Sequence, residues 1–262
     1  MTEARIPWPG RGETMLSAVA ALAFGLVMAT GASGIASPAV AGACLAVALW
    51  AGGTRPAARS ALLLAALLSA AVTLPLVWPL PLVAAVLVFT LLTTGWRPVR
   101  WEPRWWRPGA VNGRAWAAVA VVVAGSGAVL WLWYAAIGVR SGGQAVQREI
   151  LQSYPWWVVV PSVAAFVLLN AAAEEAIFRG VLQQAMAETG PISLAVAVQA
   201  LAFGLIHLYT GFPTGPLGMA LAMLFGLILG VLRVRTGGLL APWVAHVGTN
   251  LTMAGILAWT TS

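Results

Sequence analysis

The sequence predicts an all-α fold, a multi-pass transmembrane helical bundle of about eight helices with a polar intramembrane cavity. Three observations lead to this prediction. Hydrophobic residues make up 61% of the 262 residues and charged residues 8%, whereas soluble domains carry about 25% charged residues. Apolar runs close to the length of a membrane-spanning helix recur along the chain. A few ionisable side chains lie inside those runs, where only a buried partner or a function offsets their cost.

The apolar runs predict eight or nine helices in a single membrane domain that covers residues 1–262. N-terminal helices occupy residues 1–150, and a helical core with the candidate site occupies residues 151–262. The run at 37–52 is the weakest, because it is short for a span. In chain order the runs are 15–33, 37–52, 60–77, 80–95, 114–137, 155–187, 191–209, 216–233 and 239–260.

The first run follows Arg5 and Arg11, an arrangement that a cleaved signal peptide shares. We interpret the run as a retained first span. It is longer than the apolar core of a signal peptide, and the rest of the chain is membrane-embedded as well.

The arginines indicate how the chain is oriented in the membrane. All fourteen basic residues are arginine, and the net charge is +7. Most of the arginines lie between the apolar runs, most densely in the loop 96–114, as the positive-inside rule predicts for cytoplasmic loops. We therefore expect membrane lipids rather than nucleic acid as the partner of this charge. We also predict a location in a bacterial cell (inner) membrane with the N-terminus on the cytoplasmic side. The link at 138–149 is expected on the opposite face.

The stretch "AAAEEAIFRG" places three charged residues inside the sixth apolar run. Each charge costs about 2.5–3.5 kcal/mol at the bilayer centre. Glu175 and Arg179 are four residues apart and can pair on one helix face. Glu174 is rotated by about 100° from Glu175, so it is free to point elsewhere. The alternative is that all three charges lie at the wet end of a helix. Asn170, one turn before Glu174, can hydrogen-bond into the same site.

The two histidines of the chain also lie in apolar runs. His207 follows Phe203 by one turn, and His246 precedes Asn250 by one turn. Counted from the turn near residue 190 at 1.5 Å per residue, Glu174 and His207 lie at depths of about 21 and 24 Å. We therefore expect the polar groups to face one another around water. This requires residues 155–187 to form one long, tilted helix.

A glutamate and a histidine that hold a water molecule can act as a general base. A second histidine and an asparagine can donate hydrogen bonds to a developing oxyanion. Together they predict the hydrolysis of an acyl bond, most simply a peptide bond. A thiol nucleophile is not available, because Cys44, the only cysteine, lies in a distant early run. A zinc site is the alternative: Glu174, His207 and His246 can supply three ligands and leave one position open.

Three short motifs, in order on successive runs, resemble those of the CPBP family. That family contains the type II CAAX prenyl endopeptidases and the bacterial Abi and bacteriocin-processing or immunity proteins. The resemblance covers roughly residues 150–260. The motifs are E-E-x-x-x-R (Glu174, Glu175, Arg179), F-x-x-x-H (Phe203, His207) and H-x-x-x-N (His246, Asn250).

The resemblance implies an intramembrane endopeptidase whose fold is a helical bundle. It implies that Glu174 and His207 activate the attacking water and that His246 and Asn250 form the oxyanion hole. It implies no obligatory metal, although zinc stays the alternative cofactor.

By the same resemblance, Glu175, Arg179 and Phe203 support the site. The expected substrate is a peptide or a membrane-anchored protein. A prenylated tail is not the expected native substrate, because CAAX prenylation is eukaryotic and this composition is typical of a bacterium.

Two other classes of function fit part of the pattern. A proton-coupled transporter would also bury glutamates and histidines, but the Glu motif has no repeat in the other half of the chain, as many transporters would show. A non-catalytic immunity or interaction protein of the same fold would keep the motifs for structure.

Overall fold

The computed structural model describes residues 11–29, 36–51, 54–95, 101, 104–138 and 153–259. Every regular element within these ranges is helical, which confirms the all-α prediction. There are nine main helices in the described ranges, one for each apolar run, including the weak run at 37–52. They are α1 (Arg11–Ala29), α2 (Ala36–Ala51), α3 (Pro56–Ala71), α4 (Leu80–Gly95), α5 (Gly113–Trp133), α6 (Trp156–Thr189), α7 (Ile192–Ile206), α8 (Gly215–Thr236) and α9 (Leu240–Trp259).

Four of these helices are long and apolar enough to cross a membrane: α1, α5, α6 and α8. Helices α2, α3, α4 and α7 are equally apolar but have at most 16 residues. Large apolar side chains on the outside of the bundle, such as Leu132 and Trp156, are 66% and 77% exposed. Because a soluble protein rarely exposes so many large apolar side chains, this outer surface fits a lipid environment. The protein is a helical membrane bundle.

Helix α6 is the long helix that the site requires. It runs without a break for 34 residues, and Glu174 is the last residue of its regular first section, Trp156–Glu174. A π-helical section, Glu175–Leu182, follows immediately. Such wide turns are rare and often occur at functional sites. The two glutamates therefore lie near the middle of α6, at the point where its hydrogen-bonding pattern changes.

Close packing joins α7 to α8, and the small residues of these helices make it possible. A Cβ atom on Gly204 would lie 2.8 Å from the carbonyl oxygen of Met219. The Gln199 amide donates to the Gly226 carbonyl at 3.0 Å. Small residues that let helix backbones approach, with a polar side chain across the interface, are typical of membrane helix packing.

One end of the bundle, which we call the arginine-rich end, gathers four chain segments. The Thr14 hydroxyl at the start of α1 donates to the Thr189 carbonyl at the end of α6. The Ala110 amide, just before α5, donates to the Thr236 carbonyl at the end of α8. Arg233, near the end of α8, donates to Gln184, near the end of α6, at 3.0 Å. The start of α1, the end of α6, the loop before α5 and the end of α8 therefore lie on one side.

Some predicted features lie outside the described residues. They include Arg5, the link at 139–149 and part of the loop 96–114. The described part of that loop is partly buried rather than fully on the surface. The Trp101 and Trp105 side chains are buried, while Trp106 is 62% exposed.

Candidate active site

A buried ion pair on α6 forms the base of the site. The Arg179 Nη1 donates to Glu175 Oε1 at 2.9 Å, which confirms the predicted pairing across four residues. Both side chains are almost completely buried, at 0% and 1% exposure. A buried charge survives only with a partner of the opposite sign. The pair therefore makes both charges tolerable in the centre of the bundle.

His246, from α9, bridges the two glutamates of α6. Its Nδ1 donates to Glu175 Oε1 at 2.8 Å, and its Nε2 lies 3.4 Å from Glu174 Oε2. The family resemblance implies that Glu174 acts with His207, whereas the imidazole nitrogen that lies close to Glu174 belongs to His246. The wide turn that starts at Glu175 lets two successive carboxylates reach one imidazole.

His207 lies directly after the last residue of α7. Its Nδ1 is 3.0 Å from the Phe203 carbonyl oxygen. A carbonyl can only accept, so Nδ1 carries the proton and the Nε2 of the neutral ring is an acceptor. The backbone of Gly211 closes over this edge, because a Cβ atom there would come within 3.0 Å of Nε2.

The Phe203 ring connects the polar residues of three helices. The Arg179 guanidinium lies 4.5 Å from the ring centre, a cation–π geometry. The His207 and His246 rings have their centres 4.9 and 6.0 Å from that of Phe203. The predicted motifs of α6, α7 and α9 therefore converge on one aromatic side chain.

Two asparagines lie at the edges of this group. Asn250 is buried one turn after His246, and its Nδ2 has no hydrogen-bond partner among the residues that the structure describes. Asn170 is buried one turn before Glu174, and its side chain lies within reach of the Glu174 carboxylate. Its Oδ1 accepts from Trp78 Nε1 at 2.9 Å. In the described residues, Asn250 thus offers an unpaired donor, while the Asn170 amide lies between Trp78 and Glu174.

Residues 155–252 match the family model of the Rce1-like type II CAAX prenyl endopeptidases. This match supports the resemblance of this segment to the CPBP family. Comparison with curated proteins and with solved structures gave no match. The Rce1-like segment runs from the start of α6 into α9 and contains every residue of the three predicted motifs. Its family is one of membrane peptidases, and helices α1–α5 lie outside the match.

Two aromatic residues of the site were missed by the sequence analysis. Phe225, on α8 within the Rce1-like segment, has its ring centre 5.4 Å from that of His246. Trp78 lies outside the segment, in the link between α3 and α4, and reaches the site through Asn170. An aromatic side chain in an apolar run or link carries no sequence signal that separates a site residue from a packing residue.

The zinc alternative required three ligands close together. Among the described residues, no group of three His, Cys, Asp or Glu side chains is arranged to hold a metal ion. Glu174, His207 and His246 therefore do not form such a group in the described part of the chain.

A pocket of about 290 Å³ reaches the site from the side of Glu175. Trp105 and Trp243 form part of its wall, and Glu175 is its one charged lining residue. The pocket connects the surface of the Rce1-like segment with the carboxylate that holds His246.

Proposed function

We propose that the protein is an intramembrane endopeptidase that hydrolyses a peptide bond in a peptide or a membrane-anchored protein. One observation carries the proposal: two buried glutamates share one imidazole in the middle of the bundle, inside a segment that matches a peptidase family. The match favours a peptidase over a transporter. A bound metal takes part in no step of this proposal.

In the proposed reaction, Glu174 is the general base. Its carboxylate takes a proton from a water molecule whose oxygen attacks the scissile carbonyl carbon. His207 supports this step, because its Nε2 can accept a hydrogen bond from the same water once Nδ1 is held by Phe203. The carbon–nitrogen bond then breaks, and the proton on Glu174 passes to the leaving amine. Atoms and charge balance, with one water consumed for each bond cleaved.

The oxyanion of the tetrahedral intermediate accepts hydrogen bonds from α9. Asn250 is suited to this role because its Nδ2 is a buried donor without a partner among the described atoms. His246 can donate from Nε2 while Glu175 holds Nδ1 and stabilises the imidazolium. Arg179 and Phe203 support this arrangement without contacting the substrate. Arg179 neutralises the charge of Glu175 and stacks on the Phe203 ring.

We also propose a multi-pass location in the cell (inner) membrane with the start of α1 on the cytoplasmic side. The arginine-rich end contains Arg107, in the loop before α5, together with Arg233 and Arg235 in the last turn of α8. The positive-inside rule assigns such an end to the cytoplasm. Helix α9 begins at this end, so its far end lies on the opposite side.

The test is a comparison of protein termini in membranes of cells that express the wild-type protein or a Glu174→Gln variant. Glu188→Gln is the matched control, because Glu188 contacts Trp101 and Gln184 rather than the site. The proposal expects new termini with the wild type and the control and none with Glu174→Gln. The same termini with Glu174→Gln would reject Glu174 as the base. No new termini with any of the three proteins would favour a non-catalytic member of the family.

A further inference from the structure

We propose that Trp78 and Asn170 are positioning residues that orient the Glu174 carboxylate for its task as the base. The inference rests on the proposed function for its meaning in catalysis. Its structural basis is the 2.9 Å hydrogen bond from the Trp78 indole to the Asn170 amide, together with the position of that buried amide one turn before Glu174 and within its reach.

The Trp78 indole fixes the orientation of the Asn170 amide. An indole Nε1 can only donate, so the Asn170 atom 2.9 Å from it must be the oxygen. The amide NH₂ group then points the other way and can only donate. Asn170 and Glu174 are four residues apart within the regular section of α6, on one helix face. The NH₂ group therefore meets the Glu174 carboxylate as a donor.

The burial of this arrangement makes it a strong constraint. Asn170 is 6% exposed and Glu174 is 5% exposed. A buried carboxylate depends on the few polar groups that surround it, because bulk solvent does not supply hydrogen bonds to its lone pairs. Among the described residues, two such groups lie beside Glu174: the His246 Nε2 at 3.4 Å and the Asn170 amide. One partner on either side is what holds a carboxylate in a single rotamer.

The short helices α3 and α4 explain how Trp78 reaches this depth. Each has 16 residues, or about 24 Å at 1.5 Å per residue. A span needs about 30 Å to cross the hydrocarbon core. The link between α3 and α4 therefore lies level with the middle of α6, where Trp78 is half-buried against Asn170 while its neighbours Leu74 and Val77 are exposed. The N-terminal helices, which lie outside the Rce1-like segment, supply through Trp78 a polar contact to its site.

Three variants test the inference against a purely structural role. Trp78→Phe keeps the aromatic body and removes one N–H group. Asn170→Leu keeps the approximate volume and removes the whole relay. Trp101→Phe is the matched control, because its indole also donates to a carboxylate, at 3.1 Å, but to Glu188 at the far end of α6.

The enzymatic readout is kcat and KM for a peptide that spans a cleavage site found in the termini comparison. Because a lost hydrogen bond to a charged group acts on the base and not on substrate binding, Asn170→Leu should lower kcat about 10- to 100-fold with KM unchanged. Trp78→Phe should lower kcat about 3- to 10-fold, and Trp101→Phe less than about 2-fold. A lower melting temperature with unchanged kcat in both site variants would show packing alone and overturn the inference.

A second readout does not depend on activity. The Trp78 indole N–H resonance of ¹⁵N-labelled protein in detergent is identified by its loss in Trp78→Phe. If the relay exists, the resonance moves in Asn170→Leu and, through Asn170, in Glu174→Gln. A resonance that moves in Asn170→Leu but not in Glu174→Gln would end the relay at Asn170 and refute the inference. Absence of cleavage by the wild-type protein would refute the proposed function, while this spectrum would still decide the relay.

Discussion

Replacement of Arg179 by methionine should destabilise the bundle more than any other charge removal in the described residues of the site. Arg179 is fully buried, and its Nη1 binds Glu175 at 2.9 Å. Breaking a buried ion pair costs about 3–5 kcal/mol, because Glu175 then keeps its charge in the core with only the His246 Nδ1 contact among the described residues to stabilise it. The loss of the guanidinium over the Phe203 ring, at 4.5 Å, adds about 1 kcal/mol. The sum is about 4–6 kcal/mol, a fall in melting temperature of roughly 10 °C or more.

The assay is thermal unfolding of purified protein in one detergent. Arg235→Met is the control, because Arg235 is exposed in the last turn of α8 and should change the melting temperature by little. The double variant Arg179→Met with Glu175→Gln removes both charges. It should recover part of the loss, because no unpaired charge then stays buried. A single variant as stable as the control, or a double variant less stable than the sum of its single changes, would refute the reasoning.

Three further predictions follow from particular contacts. Gly211→Ala should lower kcat about 10-fold, because the new Cβ would lie 2.8 Å from His207 Cδ2. Gly215→Ala is the control, because Gly215 has a similar positive φ but no described atom within 4 Å of a new Cβ. An equal loss of kcat in both variants would show that the backbone conformation, and not the contact with His207, is responsible. Gln199→Leu should lower the free energy of unfolding by about 1 kcal/mol without changing kcat, because the lost hydrogen bonds join Gln199 to the Gly226 and Val196 carbonyls. A changed kcat would give Gln199 a role in the site. Treatment of the purified protein with a chelator should leave cleavage unchanged, since the described residues bring no three metal-ligating side chains together; cleavage that is lost and then restored by zinc alone would contradict this.

Much of the architecture follows from apolar runs and charge spacing. The run at 155–187 predicts one long helix, and α6 is that helix. The spacing of Glu175 and Arg179 predicts their ion pair, which is present at 2.9 Å. Both features are local, because they depend only on residues within a few turns of one helix.

The contacts of Glu174 depend on features that local spacing does not carry. A regular helix would turn Glu174 away from Glu175 by about 100°, but the π-helical section begins at Glu175 and the two carboxylates meet opposite nitrogens of His246. The rotation of α9 against α6 decides which histidine makes this contact. That rotation results from the packing of many side chains, so no single motif predicts it.

The sequence does not predict the hydrogen bond from Trp78 to Asn170 either. The residue lies in a short link between two apolar helices, where an aromatic side chain fits a bilayer interface as well as a polar contact. Its hydrogen bond to Asn170 depends on how the link between the short helices α3 and α4 packs against α6. The lengths of those helices are visible in the sequence, but the partner of the link is not.

The most direct test of the account is the cleavage rate of a substrate identified from its new terminus, with purified protein in liposomes. The account predicts that the wild-type protein cleaves and that Glu174→Gln, at the same melting temperature, is slower by about 10²- to 10⁴-fold. Cleavage by Glu174→Gln at the wild-type rate would contradict the assignment of the buried glutamate as the base.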